Sequence, residues 1–118
     1  MIKLKFEYDR ESNWLYIKPF EKKHKSLELL SGKNWYSEDL KEDIKWTNQC
    51  KAGIFSDEDG NDGFDIGFEY SPGIITVFND IGAFVTGQYN DKEYLTLSFD
   101  EVLDILHQMS IFLQSIGK

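Results

Sequence analysis

The stretch SFDEVLDILHQMSIFLQSIG, residues 98–117, decides the fold. Phe99, Val102, Leu103, Ile105, Leu106, Met109, Phe112, Leu113 and Ile116 recur at three- and four-residue spacing, which stacks side chains on one side of a helix. Asp100, Asp104, His107, Gln108, Gln114 and Ser115 fall opposite, and Ile111 lies outside the apolar face. Ser98 and Glu101 have the spacing of a capping box, in which each side chain accepts a hydrogen bond from an N–H left over in the first turn. Gly117 is the expected stop. An apolar face covering half a helix needs a broad partner. The strand-rich middle of the chain supplies one.

Working back towards the N-terminus, Ala83–Gln88 and Tyr94–Ser98 read as strands joined across Asn90-Asp91-Lys92. Residues 74–78 are apolar on both faces, as in a central strand. Phe64–Tyr70 alternates, with Phe64, Ile66, Phe68 and Tyr70 facing one way and Asp65, Gly67 and Glu69 the other. Lys51–Ser56 reads as a further extended piece. Ser37 is placed to cap a helix of about ten residues near 38–48, whose narrow Leu40–Ile44 stripe predicts a peripheral position. Residues 20–33 read as irregular, with at most a short strand. Residues 2–8 and 14–18 form an N-terminal hairpin stopped by Pro19.

Short connections between successive strands favour an antiparallel meander, and segregated helices favour α+β. The expected fold is therefore a single α+β domain over 1–118. It has an antiparallel sheet of about five to seven strands, built from the N-terminal hairpin and the later meander, packed against the last helix.

Charge is distributed unevenly. Residues 1–36 hold eight Lys/Arg against five Asp/Glu, whereas residues 37–118 hold five against sixteen. Nucleic acid and anionic membrane surfaces would be repelled by most of such a molecule, and a basic protein attracted. A single cysteine, Cys50, excludes an internal disulfide and a cysteine-rich zinc site, and lacks any signature of a nucleophile. Charged and apolar residues alternate from Ile2 to Tyr8, unlike a signal peptide, and no apolar run approaches the roughly 20 residues that span a bilayer. A cytoplasmic protein is expected.

The acidic tract Asp57–Asp65 is the most distinctive local feature. Asp57, Asp59 and Asn61 alternate like the first calcium ligands of an EF-hand loop, but the sixth position is Asp62 instead of glycine and the twelfth is Phe68 instead of glutamate. Asp65 and Glu69 share a strand face, about 13 Å apart, too far for a glycosidase pair. His24 and His107 lack metal-ligand spacing, and no Gly-x-Ser-x-Gly elbow occurs. The expectation is no enzyme, no cofactor and no metal. What remains for the tract is a solvated turn or a recognition surface. The second reading takes carboxylates from Asp57, Glu58, Asp59, Asp62, Asp65 and Glu69, with Trp46 or Tyr70 as aromatic anchors. Trp35, Tyr36 and Trp46, which bracket the acidic helix start, otherwise read as core or lid residues.

From Met-Ile-Lys-Leu-Lys-Phe-Glu-Tyr (residues 1–8) through the acidic middle, the chain resembles the bacterial immunity proteins of contact-dependent growth inhibition systems. That resemblance implies a small protein that binds and neutralises a toxin domain, commonly a nuclease, delivered by neighbouring cells. The alternatives are an acidic interaction adaptor with no toxic partner, and a small enzyme whose site is assembled from loops.

Overall fold

A computed structural model describes residues 1–67, 71–90 and 92–118. The alternating N-terminus folds as β1 (Leu4–Asp9), antiparallel to β2 (Trp14–Pro19), with Leu4 opposite Pro19 and Asp9 opposite Trp14. Leu15 and Ile17 are buried, while Tyr16 and Lys18 face out. A short strand, β3 (Gly32–Lys33), adds to the free side of β2. The second sheet is a four-stranded antiparallel meander of β4 (Gly63–Ile66), β5 (Gly73–Phe78), β6 (Gly82–Gly87) and β7 (Glu93–Leu97).

The α+β class, the antiparallel strands, seven among the described residues where about five to seven were expected, and the long last helix agree with the expectation, but the strands divide into two sheets of three and four. Among the described residues, no strand pairs across the division. Both sheets instead feed one buried cluster, in which Leu15 and Ile17 of the first join Ile66, Ile75, Val77 and Val85 of the second.

The closing element of that cluster is α2 (Phe99–Ser115). Val102, Ile105, Leu106, Met109 and Leu113 are fully or almost fully buried, and Ile111 is exposed, as the spacing required. The capping box is present: Glu101 N–H donates to Ser98 Oγ at 3.1 Å and Ser98 N–H to Glu101 Oε1 at 2.9 Å. Phe112 stacks on Phe6 of β1 with ring centroids 5.3 Å apart.

Three local expectations need correction. First, the earlier helix, α1 (Ser37–Lys51), has fifteen residues and packs along α2. Its buried stripe is Leu40, Thr47 and Cys50 with Ile44 partly covered, so two polar or ambiguous residues conceal half of its apolar face from a hydropathy reading. Secondly, Ser37 does not cap it. The preceding Tyr36 is the cap residue and makes no side-chain cap bond, while the Ser37 hydroxyl and N–H both donate to the Lys118 carbonyl.

Thirdly, 51–56 is not a strand. Ala52 ends α1, Gly53 turns at φ +73°, and the N–H groups of Gly53 and Ile54 return to the carbonyls of Cys50 and Gln49. This is the paired hydrogen bonding of a Schellman stop, which a residue without Cβ accommodates at no steric cost. Upstream, Lys22–Leu30 forms a 3-10 helix whose buried residues His24, Leu27 and Leu30 recur every third position. That spacing matches the three residues per turn of this helix type.

Candidate functional site

The acidic loop leaves the Schellman stop of α1, crosses Phe55 and returns into β4. Its conformation is set by Asp57. The carboxylate Oδ1 accepts from the N–H groups of Asp59 (2.9 Å) and Asn61 (2.8 Å), Oδ2 accepts from Asn61 Nδ2 (2.9 Å), and the Asp57 carbonyl takes the Gly60 N–H (3.1 Å). Hydrogen bonds from Asn61 hold the Asp57 carboxyl below its ordinary range. Gly60, at φ +80°, completes the reversal. The base of the loop is pinned by Asn79. Its side chain accepts from Phe55 N–H and donates to Phe55 C=O, and its own N–H donates to Asp62 C=O at 2.9 Å.

Glu58, Asp59 and Asp62 remain. All three are exposed, and among the described residues none of their carboxylates takes part in a side-chain hydrogen bond or an ion pair. A loop this firmly bonded through Asp57 therefore presents three carboxylates that the fold does not use.

On one side the loop borders a groove of about 440 Å³ lined by Trp46, Phe55, Ser56, Asp57, Glu58 and Phe64. Its floor is an aromatic cluster. The Trp46 ring meets Phe55 and Phe64 edge-on at 6.0 and 5.4 Å, and the two phenylalanines stand 5.2 Å apart. On the other side, a groove of similar size runs from Asp57, Asn61 and Asp62 to Asp65, Thr76 and Phe78 on the sheet.

On α1, Asp43 lies three residues before Trp46, Glu42 four before it and Asp39 four before Asp43, so this acidic row runs towards the aromatic groove. Burial, reinforced by Asp39 and Glu42, pushes the Asp43 carboxyl up to about 7. Below the loop, Cys50 is fully buried, and burial together with the nearby Asp62 pushes its thiol up to about 11.

The expected site residues separate into groups. Trp46 and Glu58 line one groove, Asp62 lines the other, and Asp59 is exposed on the loop between them. Asp57 is exposed and at the same time bonded within the loop. Asp65 is exposed, but its Oδ1 accepts from Thr76 Oγ1 across the β4–β5 register at 2.8 Å. Glu69 and Tyr70 lie outside the described residues. Phe55, Phe64 and Asp43 were not singled out from the sequence. For Asp43, the helical spacing to Trp46 was the available signal, whereas Phe55 and Phe64 meet Trp46 only through the tertiary fold.

Among the described residues, no three His, Cys, Asp or Glu side chains are grouped so as to hold a metal ion, and no helix is long and apolar enough to cross a membrane. Comparison with known protein families, characterised proteins and solved structures finds no match to this chain.

Proposed function

We propose that this protein is an immunity protein that neutralises a basic toxin domain, a nuclease being the chemistry that best suits its surface. The observation that carries this reading is the trio Glu58, Asp59 and Asp62, whose carboxylates have no side-chain partner among the described residues, on a loop fastened by Asp57 and Asn79. Glu58 lines the groove floored by Trp46, Phe55 and Phe64, and Asp62 lines the groove on the loop's other side. A nuclease must display Lys and Arg to hold phosphate, and a fixed array of carboxylates offers those groups an alternative anion.

Pre-ordering matters here. A loop already bonded into its shape loses little conformational freedom on binding, so more of the electrostatic attraction appears as affinity. Opposite potentials also hasten encounter, to about 10⁸–10⁹ M⁻¹s⁻¹ at low salt, which suits an inhibitor that must act before damage is done. The aromatic groove supplies the apolar contact that charge alone lacks.

The test is to express the chain with the C-terminal domain of a large secreted protein encoded beside it. Co-purification and rescue of growth support the proposal. Binding without rescue would make the protein an adaptor, and absence of both would remove the reading.

A further inference from the structure

We infer that a pair of exposed isoleucines, Ile54 and Ile81, forms the apolar anchor of this docking surface and fits a partner that presents an apolar side chain ringed by lysine or arginine. The inference rests on the proposed acidic docking surface and adds the contact that would hold the partner once charge has brought it in.

Ile54 and Ile81 are 71% and 69% exposed, yet neither lies on a loose segment. Ile54 follows Gly53 in the Schellman stop, where an apolar residue ordinarily folds back on its own helix. Ile81 stands in the β5–β6 turn, with its N–H directed to the Phe78 carbonyl at 3.4 Å. Such a turn is ordinarily served by polar residues and glycine, not by a bulky β-branched one.

The two segments are fastened together directly before the isoleucines. Asp80 N–H donates to Cys50 C=O at 3.1 Å, and the Asp80 carboxylate lies so close to Gly53 that a Cβ there would stand 2.5 Å from Oδ1. Asn79 continues the connection to Phe55 and Asp62, so the isoleucine pair abuts the base of the acidic loop.

The surroundings select the occupant. Asp57, Glu58, Asp59, Asp62 and Asp80 belong to the same joined segments, and the nearby cation Lys51 is engaged by Asp100 at 2.7 Å. A two-fold pair of this chain would set that acidic surface against its own copy, which like charge opposes. A basic partner with an apolar knob meets both parts of the surface, in the arrangement of an apolar centre with a charged rim.

The test titrates the isotope-labelled full chain, followed by NMR, with a short lysine-rich peptide bearing two isoleucines and with the same peptide carrying glycine in their place. The isoleucine peptide should bind about ten-fold more tightly, since burial of apolar side chains adds to a common charge term. That advantage should vanish in an Ile54→Ser/Ile81→Ser protein of unchanged thermal midpoint, with the affinity of the glycine peptide unaltered. Equal affinity of the two peptides for the wild type overturns the isoleucine anchor and leaves the charge reading standing. Failure of both to bind removes both. Concentration-dependent dimerisation of the wild type, absent in the double variant, would assign the isoleucines to self-association and overturn the inference.

Discussion

The side-chain amide of Asn79 pairs with the backbone of Phe55 in both directions, Phe55 N–H reaching Oδ1 at 3.0 Å and Nδ2 reaching Phe55 C=O at 2.8 Å. One side chain thus does for the segment after α1 what a neighbouring strand does for a sheet residue. It satisfies both backbone groups of Phe55, whose ring is buried in the groove wall, and fixes where the acidic loop begins. Asn79→Ala should leave those groups unpaired and cost about 1–3 kcal/mol. Urea unfolding measures that loss, and hydrogen exchange should localise it to residues 55–62. Unchanged protection there would show that the loop is held by Asp57 alone.

The orientation of α2 makes a paired prediction. Leu106 is fully buried, so Leu106→Ala should cost about 2–5 kcal/mol. Ile111, 69% exposed on the opposite side, should accept serine within about half a kcal/mol. Equal midpoints for the two variants in urea would contradict the packing described.

Asp43 gives stability a pH dependence of identifiable sign. Its carboxyl is raised from the usual range to about 7, so the folded chain holds this proton more tightly than the unfolded chain. Its contribution is fully present below about pH 4 and is lost as pH rises through about 7. Asp43→Asn should match the wild type near pH 4 and exceed it by about 1–3 kcal/mol at pH 8, after allowance for the partial exposure of the group. Denaturant titrations at the two pH values measure the difference, and a variant no more stable at pH 8 than at pH 4, relative to wild type, would refute it.

Cys50 should be inert in the folded protein. It is fully buried and its thiol is pushed up to about 11, so little thiolate forms at pH 8 and none of it meets solvent. A thiol-specific reagent should label it only in denaturant. Rapid stoichiometric labelling of the native chain would place Cys50 nearer the surface.

The elements legible from the sequence are those whose apolar spacing is unmixed. Residues 98–117 and the alternating 2–8 identify themselves, and Ile111 could be placed outside correctly because a helix of that length fixes every residue's azimuth. The length of α1 was hidden because Thr47 and Cys50 occupy its buried stripe. The 3-10 helix was hidden because His24, Leu27 and Leu30 repeat every three residues between lysines, a period that neither a strand nor an α-helix template detects. At the candidate site, the concentration of carboxylates was plain. Their division was not, since whether an aspartate bonds within its loop, as Asp57 does, or stays free, as Asp59 does, depends on loop hydrogen bonds that spacing does not encode. The aromatic groove joins residues from α1, the loop and β4, and no local pattern assembles them.

The most direct test of the central claim is the association rate of this protein with the basic toxin domain that the proposed function assigns to it, sought in the product of an adjacent gene, measured across a range of salt for wild type and for a Glu58→Gln/Asp59→Asn/Asp62→Asn variant. Asp57 is kept, because its carboxylate holds the loop together. If the three free carboxylates steer recognition, the variant should keep its thermal midpoint, associate about ten-fold more slowly at low salt and show a flatter salt dependence. Association and growth protection identical to wild type at every salt concentration would contradict it, and the loop would then be a solvated turn.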